Sequence, residues 1–454
     1  MTDFSGLSIH GRVVTSEDSD WDQARLGMNL AADLQPAAVA LVDSADDVAK
    51  AIGFARENGL RVTAQTTGHG GATLPDLSEA ILIKTQGMKE ISVEAGTRTA
   101  RVQAGVQAAE LGVAAAERGM SFLPGSSPTV GVTGYTLGGG LGWLARRYGF
   151  ACNHVRAIEV VTADGQVRQV DAEANPDLYW ALRGGGGGYA IVTALHLDLL
   201  EISEVYAGLL IFPAEVGADA VRTFRDWAAE APPEVTSTCR FLTPPPLPTV
   251  PEPIRGKPLL VIGAAFLGSR ADGEKLIEPL RGIGETIMDT FDEISPGGLS
   301  RVAMDPEDPV PAMGHHGLVK ELADEAIDAF VGVAGVDSGS PLLLAELRQA
   351  GGALAEAPQN AGALGKLDCD YVMYGVAAVM DPGMVPAITE GLDRLVEAMK
   401  PWAAEGGFFN FAERPCEVDA ILPEGTCERL ALVKRSWDPD NVILANHSVA
   451  LATA

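Results

Sequence analysis

The chain has 454 residues, which exceeds the size at which a single core usually stops growing and predicts two domains or one elaborate composite domain. Its 47% of hydrophobic residues is ample for a buried core. Its 33 basic and 61 acidic residues give a net charge of -28, which disfavours nucleic acid and anionic membrane surfaces as partners. The start of the chain lacks an export signal and no apolar run is long enough to span a bilayer, which predicts a cytoplasmic protein.

The first 120 residues predict an α/β beginning. Ser44 can cap a helix over "ADDVAKAIGFAREN", and Asn58-Gly59 ends that helix before the strand "LRVTAQ". The stretches "AILIKT" and "TARVQAG" predict further strands, and "VQAAELGVAAAERG" predicts an alanine-rich helix that is closed by a glycine.

The middle of the chain has a glycine-rich stretch followed by a segment with regular secondary-structure signals. The glycines and proline of "FLPGSSPTVGVTGYTLGGGLGWLARRYG" predict a loop without regular structure through its middle. The next segment, "VRAIEVVTADGQVRQVD", predicts a hairpin around Ala163-Asp164-Gly165, and "PDLYWALRG" predicts a short helix with a proline in its first turn.

A proline-rich connector, "RFLTPPPLPTVPEPIRG", indicates a second domain over about residues 203–400. The helix "AEVGADAVRTFRDWAAEA" and the strand "KPLLVIGAAFLG" flank it, and "CDYVMYGVAAVM" is the clearest later strand. "PGMVPAITEGLDRLVEAMKPW" predicts an amphipathic helix, and "EGTCERLALVKRSW" a last helix that Asp-Pro-Asp stops.

The ligand-type residues do not predict a metal site. The five cysteines are scattered and lack CxxC spacing, which also disfavours a disulfide framework. His315 and His316 are adjacent, and neighbouring side chains do not converge on one metal without further ligands, so we expect a loop there.

Three glycine-rich segments, around 68–71, 125–142 and 184–188, would let backbone N–H groups approach a ligand closely. Together they favour a dinucleotide over simple tight turns. The spacing of a Rossmann GxGxxG site and the lysine of a Walker A loop are both missing, so a pyrophosphate would be held in another way.

The order of "TTGHGG", "PGSSPTVGVTGYTLGGGLGWLARRYGF", "HVRAIEVVTADGQV", "NPDLYWALRGGGGGYAIVT" and "ERLALVKRSWDPDNVILANHS" resembles the FAD-linked oxidases of the berberine bridge enzyme type, in the vanillyl-alcohol-oxidase superfamily. The resemblance spans nearly the whole chain. It implies an α+β fold: a PCMH-type FAD-binding domain of two subdomains over 1–202, a substrate domain with a helix-covered antiparallel sheet over 203–400, and a C-terminal segment, 401–454, that returns to the FAD domain.

The resemblance also implies covalent FAD, joined through the imidazole of His69 to the 8α-methyl of the flavin. A neutral imidazole is a nucleophile near pH 7, and the flanking glycines leave room for the flavin edge. The cofactor-binding residues carried over are His69, Thr66, Thr67, Gly68, Gly70, Gly71, Gly125, Ser126, Ser127, Thr129, Val130, Gly131, Gly134, Tyr135, Gly138, Gly139, Gly142, Gly188, Ile191, Val192 and Asn410.

The sequence departs from the family pattern at several positions. Ser127 stands where many relatives have a cysteine bonded to flavin C6, and a hydroxyl is a far weaker nucleophile than a thiolate, so no cysteinyl bond is expected. Val130 resembles the type that admits oxygen to the flavin, which favours an oxidase over a dehydrogenase. Gly188 and Ala190 replace the usual asparagine and glycine of the last glycine-rich segment, and Phe408 replaces a usual tyrosine.

The catalytic candidates, in order, are Tyr374, Tyr371, Tyr135 and His154, and the resemblance adds Asn410 to the site. Tyr371 and Tyr374 are three residues apart on one strand, so they lie on opposite faces and at most one faces the flavin. A half-buried structural role remains the alternative for either tyrosine.

The resemblance implies an oxidase that removes hydride from a small organic alcohol, amine, phenol or secondary metabolite and uses O2 as the second substrate. The scarcity of clustered basic residues after residue 203 favours uncharged or hydrophobic substrates over phosphorylated sugars. Alternatives are a covalent-flavin dehydrogenase, an oligosaccharide oxidase, and a non-catalytic flavin-binding protein. A nicotinamide-dependent enzyme would need the missing Rossmann signature, and the oligomeric state stays open.

Overall fold

The computed structural model describes residues 2–447 and 449. The described residues form seventeen strands: β1 Arg12–Val14, β2 Ala38–Leu41, β3 Arg61–Gln65, β4 Ala80–Lys84, β5 Ile91–Glu94, β6 Thr99–Gln103, β7 Val155–Val161, β8 Val167–Asp171, β9 Ile191–Asp198, β10 Val205–Pro213, β11 Val235–Leu242, β12 Leu259–Phe266, β13 Met288–Asp289, β14 Asp292–Ile294, β15 Ala312–Val319, β16 Leu344–Gln349 and β17 Tyr371–Ala378. They also form eleven α-helices: α1 Trp21–Arg25, α2 Ala45–Glu57, α3 Ala108–Ala116, α4 Val132–Leu137, α5 Ala145–Tyr148, α6 Pro176–Ala181, α7 Gly217–Glu230, α8 Arg270–Arg281, α9 Asp324–Ala334, α10 Val385–Met399 and α11 Glu424–Trp437.

The first sheet has the strand order β1-β2-β4-β3, in which β2, β4 and β3 are parallel and β1 is antiparallel to β2. Its central strand β4 is buried along its whole length, as expected for a parallel strand covered on both faces. The Ser44 side chain accepts a hydrogen bond from the Asp47 N–H and so caps α2, which packs against this sheet.

The second sheet is antiparallel, with the order β5-β6-β9-β7-β8. The predicted hairpin is confirmed as the β7–β8 pair, whose register places Val161 opposite Val167. Val161 and Ile191 of this sheet share a hydrophobic cluster with α2 and the first sheet, so α2 lies between the two sheets. This arrangement brings the ends of β3 and β9, and the glycine-rich segments that adjoin them, to one region.

The third sheet has the order β13-β10-β12-β11-β16-β17-β15, with β14 also paired to β10, and all its pairs are antiparallel. One face packs on α7, α8, α9 and α10 through a cluster that includes Leu347, Tyr371 and Met373. The opposite face points to the first half of the chain, since Val372 packs in the cluster that holds the second sheet. Alternation along β16 and β17 therefore directs Glu346 and Tyr374 to this inner face.

The last helix returns to the first half of the chain. Lys434 of α11 is buried, and its Nζ donates hydrogen bonds to the Gly188 carbonyl (2.7 Å), the Ile443 carbonyl (2.7 Å) and Asp438 Oδ2 (2.6 Å). The Val62 N–H of β3 donates to the Val442 carbonyl. These contacts tie the end of the chain to the first sheet and to the last glycine-rich segment.

Two local predictions were wrong. The glycine-rich middle stretch contains a helix, α4, because burial of Val132, Tyr135 and Thr136 outweighs the weak helix propensity of Gly134. His315 and His316 lie on strand β15 instead of in a loop, because their backbones pair in register with Gly375 and Tyr374 of β17.

The α+β fold is confirmed: parallel and antiparallel sheets with helices, and a separate antiparallel sheet that helices cover on one face. The domain limits 1–202, 203–400 and 401–454 stay a prediction, and residues 1, 448 and 450–454 lie outside the described residues. No described helix has both the length and the apolar composition that a membrane span requires.

Candidate flavin and substrate site

His69 lies on the loop that follows β3. Gly68 has a positive φ of 82° and packs so closely on Gly27 that a Cβ at Gly68 would lie 2.8 Å from the Gly27 Cα. His69 Nε2 lies 3.1 Å from Thr129 Oγ1, and burial lowers the pKa of His69 to about 4. The imidazole is therefore neutral at pH 7, as a nucleophile must be.

The second glycine-rich segment is packed directly on the His69 loop. Ser127 Oγ lies 3.3 Å from Thr129 Oγ1, so a chain of hydroxyl groups leads to the imidazole. The Gly131 N–H donates to Thr67 Oγ1 (3.3 Å), and a Cβ at Gly131 would lie 2.9 Å from the Thr66 side chain. These glycine-specific contacts fix one loop against the other.

Asn410 joins the C-terminal part of the chain to the same segment. Its side-chain oxygen accepts a hydrogen bond from the Gly140 N–H (2.9 Å), and its Nδ2 donates to the Tyr135 carbonyl (3.2 Å). A Cβ at Gly138 would meet Asn410 Nδ2 at 2.5 Å. Asn410 thus holds helix α4, which contains Tyr135, and the glycines that follow it.

The third glycine-rich segment is held by the C-terminal helix. Lys434 binds the Gly188 carbonyl, and a Cβ at Gly188 would lie 2.7 Å from the Ala445 Cβ. Gly186 has a φ of 83° and no described atom within 4 Å of a Cβ placed on it. Ile191 and Val192, which begin β9 directly after this segment, are buried.

These residues fit a bound FAD. Thr133 Oγ1 and Thr193 Oγ1 are buried and have no hydrogen-bond partner among the described residues. A Cβ at Gly134, like one at Gly186, would meet no described atom within 4 Å. Hydroxyl groups and exposed glycine backbone are the donors that a pyrophosphate and a flavin ring use in proteins.

Tyr374 and Glu413 form a half-buried pair at the inner face of the third sheet. The Tyr374 hydroxyl donates a 2.5 Å hydrogen bond to Glu413 Oε1, while Glu413 Oε2 is buried without a described partner. Burial raises the pKa of both groups above their ordinary values. The Phe411 ring stacks on Tyr374 with a centroid separation of 4.8 Å, which fixes the tyrosine.

A charged network lies beside this pair on the same face. Glu346 accepts a 2.9 Å hydrogen bond from Arg348, and Arg240 lies 3.8 Å from Glu346. Arg348 also donates to Ser126 Oγ (3.3 Å) and lies over the Phe411 ring, 5.2 Å from its centroid. The network therefore connects the second glycine-rich segment with the sheet that carries Tyr374.

Of the three other ranked catalytic candidates, Tyr371 and His154 lie elsewhere, and only Tyr135 lies close to the glycine-rich segments. Tyr371 is buried on the helix-covered face, where it packs against Phe224 with ring centroids 6.3 Å apart, so it points away from the flavin loops. His154 Nε2 lies 2.8 Å from the Tyr148 carbonyl, so this ring nitrogen already has a hydrogen-bond partner. Tyr135 is buried near the loops, and its hydroxyl has no partner among the described residues.

Sequence reasoning missed Glu413 and the charged residues of the sheet. The alternation in "LAELRQ" was the available signal, because Ala345 and Leu347 face the helices while Glu346 and Arg348 face inward. For Glu413 the sequence held no comparable signal, since it lies in an irregular segment after Asn410.

Comparisons with known proteins agree with this geometry. Residues 36–171 match the FAD binding domain family. The chain is 27% identical to (R)-6-hydroxynicotine oxidase of Paenarthrobacter nicotinovorans over 98% of this chain and 97% of that protein. It is 28% identical to the FAD-linked oxidoreductase YgaK of Bacillus subtilis over 60% of this chain, a match that spans only 59% of YgaK.

Solved structures show the same fold. BBE-like 1 of Physcomitrella patens superposes with a TM-score of 0.84 at 22% identity, over 98% of each chain. The grass pollen allergen Phl p 4, described as having glucose dehydrogenase activity, superposes with a TM-score of 0.84 at 18% identity over 98% of this chain and 99% of that one. An isoleucine-to-valine variant of Phl p 4, with a TM-score of 0.81 at 18% identity over 96% of each chain, is described as a glucose oxidase. With a match to the FAD binding domain family over residues 36–171 and this fold along nearly its whole length, the chain carries an FAD binding domain within a berberine bridge enzyme-like, PCMH-type fold.

Proposed function

We propose that this protein is an FAD-linked oxidoreductase, namely an oxidase of a small organic substrate with FAD attached covalently through His69. The observation that carries the proposal is a continuous series of contacts from His69 to the inner face of the third sheet. The series runs from His69 to Thr129 and Ser127, continues at the adjacent Ser126, and passes through Arg348 to the Phe411 ring, on which Tyr374 stacks. These contacts join the predicted cofactor loops to the Tyr374–Glu413 pair.

The residues that the sequence predicts as cofactor ligands would bind FAD. The hydroxyls of Thr66, Thr67, Thr129 and Ser127 and the glycine backbone of the three segments would hold FAD, and His69 would form the single covalent bond. No thiol competes at position 127, and the buried Cys152, whose pKa burial raises to about 12, is protonated at neutral pH. We therefore assign an 8α-histidyl bond and no cysteinyl bond.

Proton transfer falls to Tyr374 and Glu413. Bound FAD supplies the acceptor for a hydride from the substrate carbon and, in an oxidase, passes the electrons to O2 to give H2O2. Tyr374 accepts the proton of the adjoining substrate O–H or N–H while its own hydroxyl proton moves to Glu413 along the 2.5 Å hydrogen bond. The unpartnered Glu413 Oε2 provides a second acceptor for a donor group of the substrate.

Oxygen use is assigned through Val130. The exchange of an isoleucine for a valine separates a glucose dehydrogenase from a glucose oxidase in Phl p 4, so a small difference in side-chain shape decides between these activities in that protein. Val130 is partly buried and packs in the cluster around Tyr135 and Trp143. A valine there supports an oxidase over a dehydrogenase that passes its electrons to another acceptor.

The substrate class is a small uncharged or hydrophobic alcohol, amine or phenol, including secondary metabolites, and the protein acts in the cytoplasm. Support comes from the near full-length relative named for oxidising 6-hydroxynicotine, and from the apolar Phe411, which stacks on Tyr374 and packs in turn against Phe408. Glucooligosaccharide oxidase of Sarocladium strictum matches 49% of this chain, so sugars form the second class to test.

The test of the covalent link is acid precipitation of the purified protein. Yellow colour should stay with the pellet, and intact mass should exceed the polypeptide mass by one FAD. His69→Ala should release the colour to the supernatant. Colour in the wild-type supernatant would refute the linkage. Peroxide formation, screened with amines, alcohols, phenols and sugars in air, then distinguishes the oxidase from a dehydrogenase.

A further inference from the structure

Lys84, the last residue of β4, is a buried cation without a buried anion. Only 2% of the residue is exposed, and its Nζ donates to the Leu26 carbonyl (2.8 Å) and to Gln65 Oε1 (2.6 Å). Both acceptors are neutral, and within residues 2–447 no carboxylate forms an ion pair with Lys84. Burial lowers the pKa of Lys84 to about 8. An unpaired buried ammonium is costly, so its place in the fold needs a reason.

The two acceptors of Lys84 belong to two segments that meet under His69. Leu26 adjoins Gly27, which packs on Gly68, and the Met28 N–H donates to the Thr67 carbonyl at 2.8 Å. The segment after Leu26 therefore runs beside the loop that carries His69. By binding the Leu26 carbonyl, Lys84 fixes the position of this segment.

The side chain of Gln65 fills the space directly beneath the loop. A Cβ at Gly68 would lie 2.9 Å from Gln65 Cδ, and one at Gly71 would lie 3.4 Å from Gln65 Nε2. Gly68 holds its positive φ of 82° against this side chain. The Lys84 hydrogen bond keeps Gln65 in place, and Gln65 in turn supports the backbone on both sides of His69.

We propose that Lys84 is a positioning residue for covalent flavin attachment. It holds Gln65 and the Leu26 carbonyl, which fix Gly68 and so direct the His69 imidazole to the side of Thr129. The inference rests on the proposed His69 linkage. Lys84 does not react with the flavin itself; it acts through Gln65 and the loop backbone.

The test measures the covalent flavin fraction of the intact holoprotein, by in-gel flavin fluorescence and intact mass, in Lys84→Met, Gln65→Met and the double variant. Each single variant should lose at least ten-fold in the rate of attachment. The double variant should lose no more than Lys84→Met alone, because the Lys84–Gln65 hydrogen bond that Gln65→Met removes is already absent in Lys84→Met. Lys84→Arg should restore most of the attachment.

Leu280→Ala serves as the control for lost stability, because Leu280 is fully buried in α8 of the substrate region, away from the His69 loop. It should lower the melting temperature and attach flavin like the wild type. If Lys84→Met fails to fold, the Gln65→Met variant decides.

Attachment at the wild-type rate in Lys84→Met or Gln65→Met would overturn the inference and leave the His69 linkage standing. Additive losses in the double variant would overturn the route through Gln65. Wild-type protein that releases its flavin in acid would overturn the linkage itself and the inference with it.

Discussion

The rate of flavin attachment should depend on pH in the same way as the fraction of His69 whose imidazole is neutral. Burial lowers the pKa of His69 to about 4, whereas an exposed histidine titrates near 6.5. Attack by the imidazole requires its neutral form, so the initial rate should follow the neutral fraction. With the lowered pKa, about 97% of His69 is neutral at pH 5.5, against about 9% for a histidine with the ordinary value.

In the assay, protein produced under riboflavin limitation is mixed with FAD at a series of pH values between 5 and 8. Aliquots are stopped with acid at intervals, and the attached flavin is read by in-gel fluorescence. The rate should change by less than about 1.5-fold between pH 7.5 and 5.5, whereas an ordinary histidine would lose about ten-fold. A ten-fold fall with a midpoint near 6.5 would refute the burial argument. Melting temperatures at each pH serve as the control for unfolding.

The lowered pKa also fixes the sign of a stability effect. Below pH 6.5 the unfolded chain binds a proton at His69 that the folded chain does not bind until about pH 4. The contribution of His69 to the free energy of unfolding is therefore fully present above pH 6.5 and is lost as the pH falls from 6.5 towards 4. The flavin-free protein should lose stability over this interval, and His69→Gln should lose less.

Three further predictions concern the substrate face, oxygen access and the C-terminal helix. Tyr374→Phe and Glu413→Gln should each slow anaerobic flavin reduction by about 10²–10⁴-fold while the covalent flavin content stays unchanged, and normal reduction in both would contradict the acid–base assignment. Val130→Leu should slow reoxidation by O2, measured by stopped-flow absorbance, while flavin reduction by substrate stays within about two-fold; equal reoxidation rates would remove the role of Val130. Lys434→Met leaves the buried Asp438 carboxylate without its cation and should lower the free energy of unfolding by about 3–5 kcal/mol in urea titrations; a loss under about 1 kcal/mol would show that the pair is not needed.

The regular elements could be predicted because their signals are local. Ser44 caps α2 as expected, and the β7–β8 hairpin forms around Ala163-Asp164-Gly165, because a capping side chain and a turn sequence act over a few residues. The helix α4 could not be predicted in this way, because its formation depends on burial of Val132 and Tyr135 by distant parts of the chain.

In the candidate site too, only the features with a local sequence signal could be predicted. The position of His69 between glycines is visible in the sequence, and the alternation of strands explains why Tyr374 faces inward while Tyr371 does not. The partnership of Lys84 with Gln65 and that of Tyr374 with Glu413 could not be predicted, because each joins residues whose separation in the chain carries no periodic signal.

The charged network refines the expectation of an uncharged substrate. Composition alone suggested few basic residues near the site, yet the inner face of the third sheet carries two buried arginines, Arg240 and Arg348. Glu346 accepts a hydrogen bond from Arg348 at 2.9 Å and lies 3.8 Å from Arg240, which also lies 3.8 Å from Asp305. Two cations beside two carboxylates leave little net charge to attract an ion. Because each arginine of this network has a carboxylate beside it, the network gives the site a fixed shape without favouring an anionic ligand. The site is therefore consistent with the proposed uncharged alcohols, amines and phenols, with Tyr374 and Glu413 as the groups left to meet the substrate.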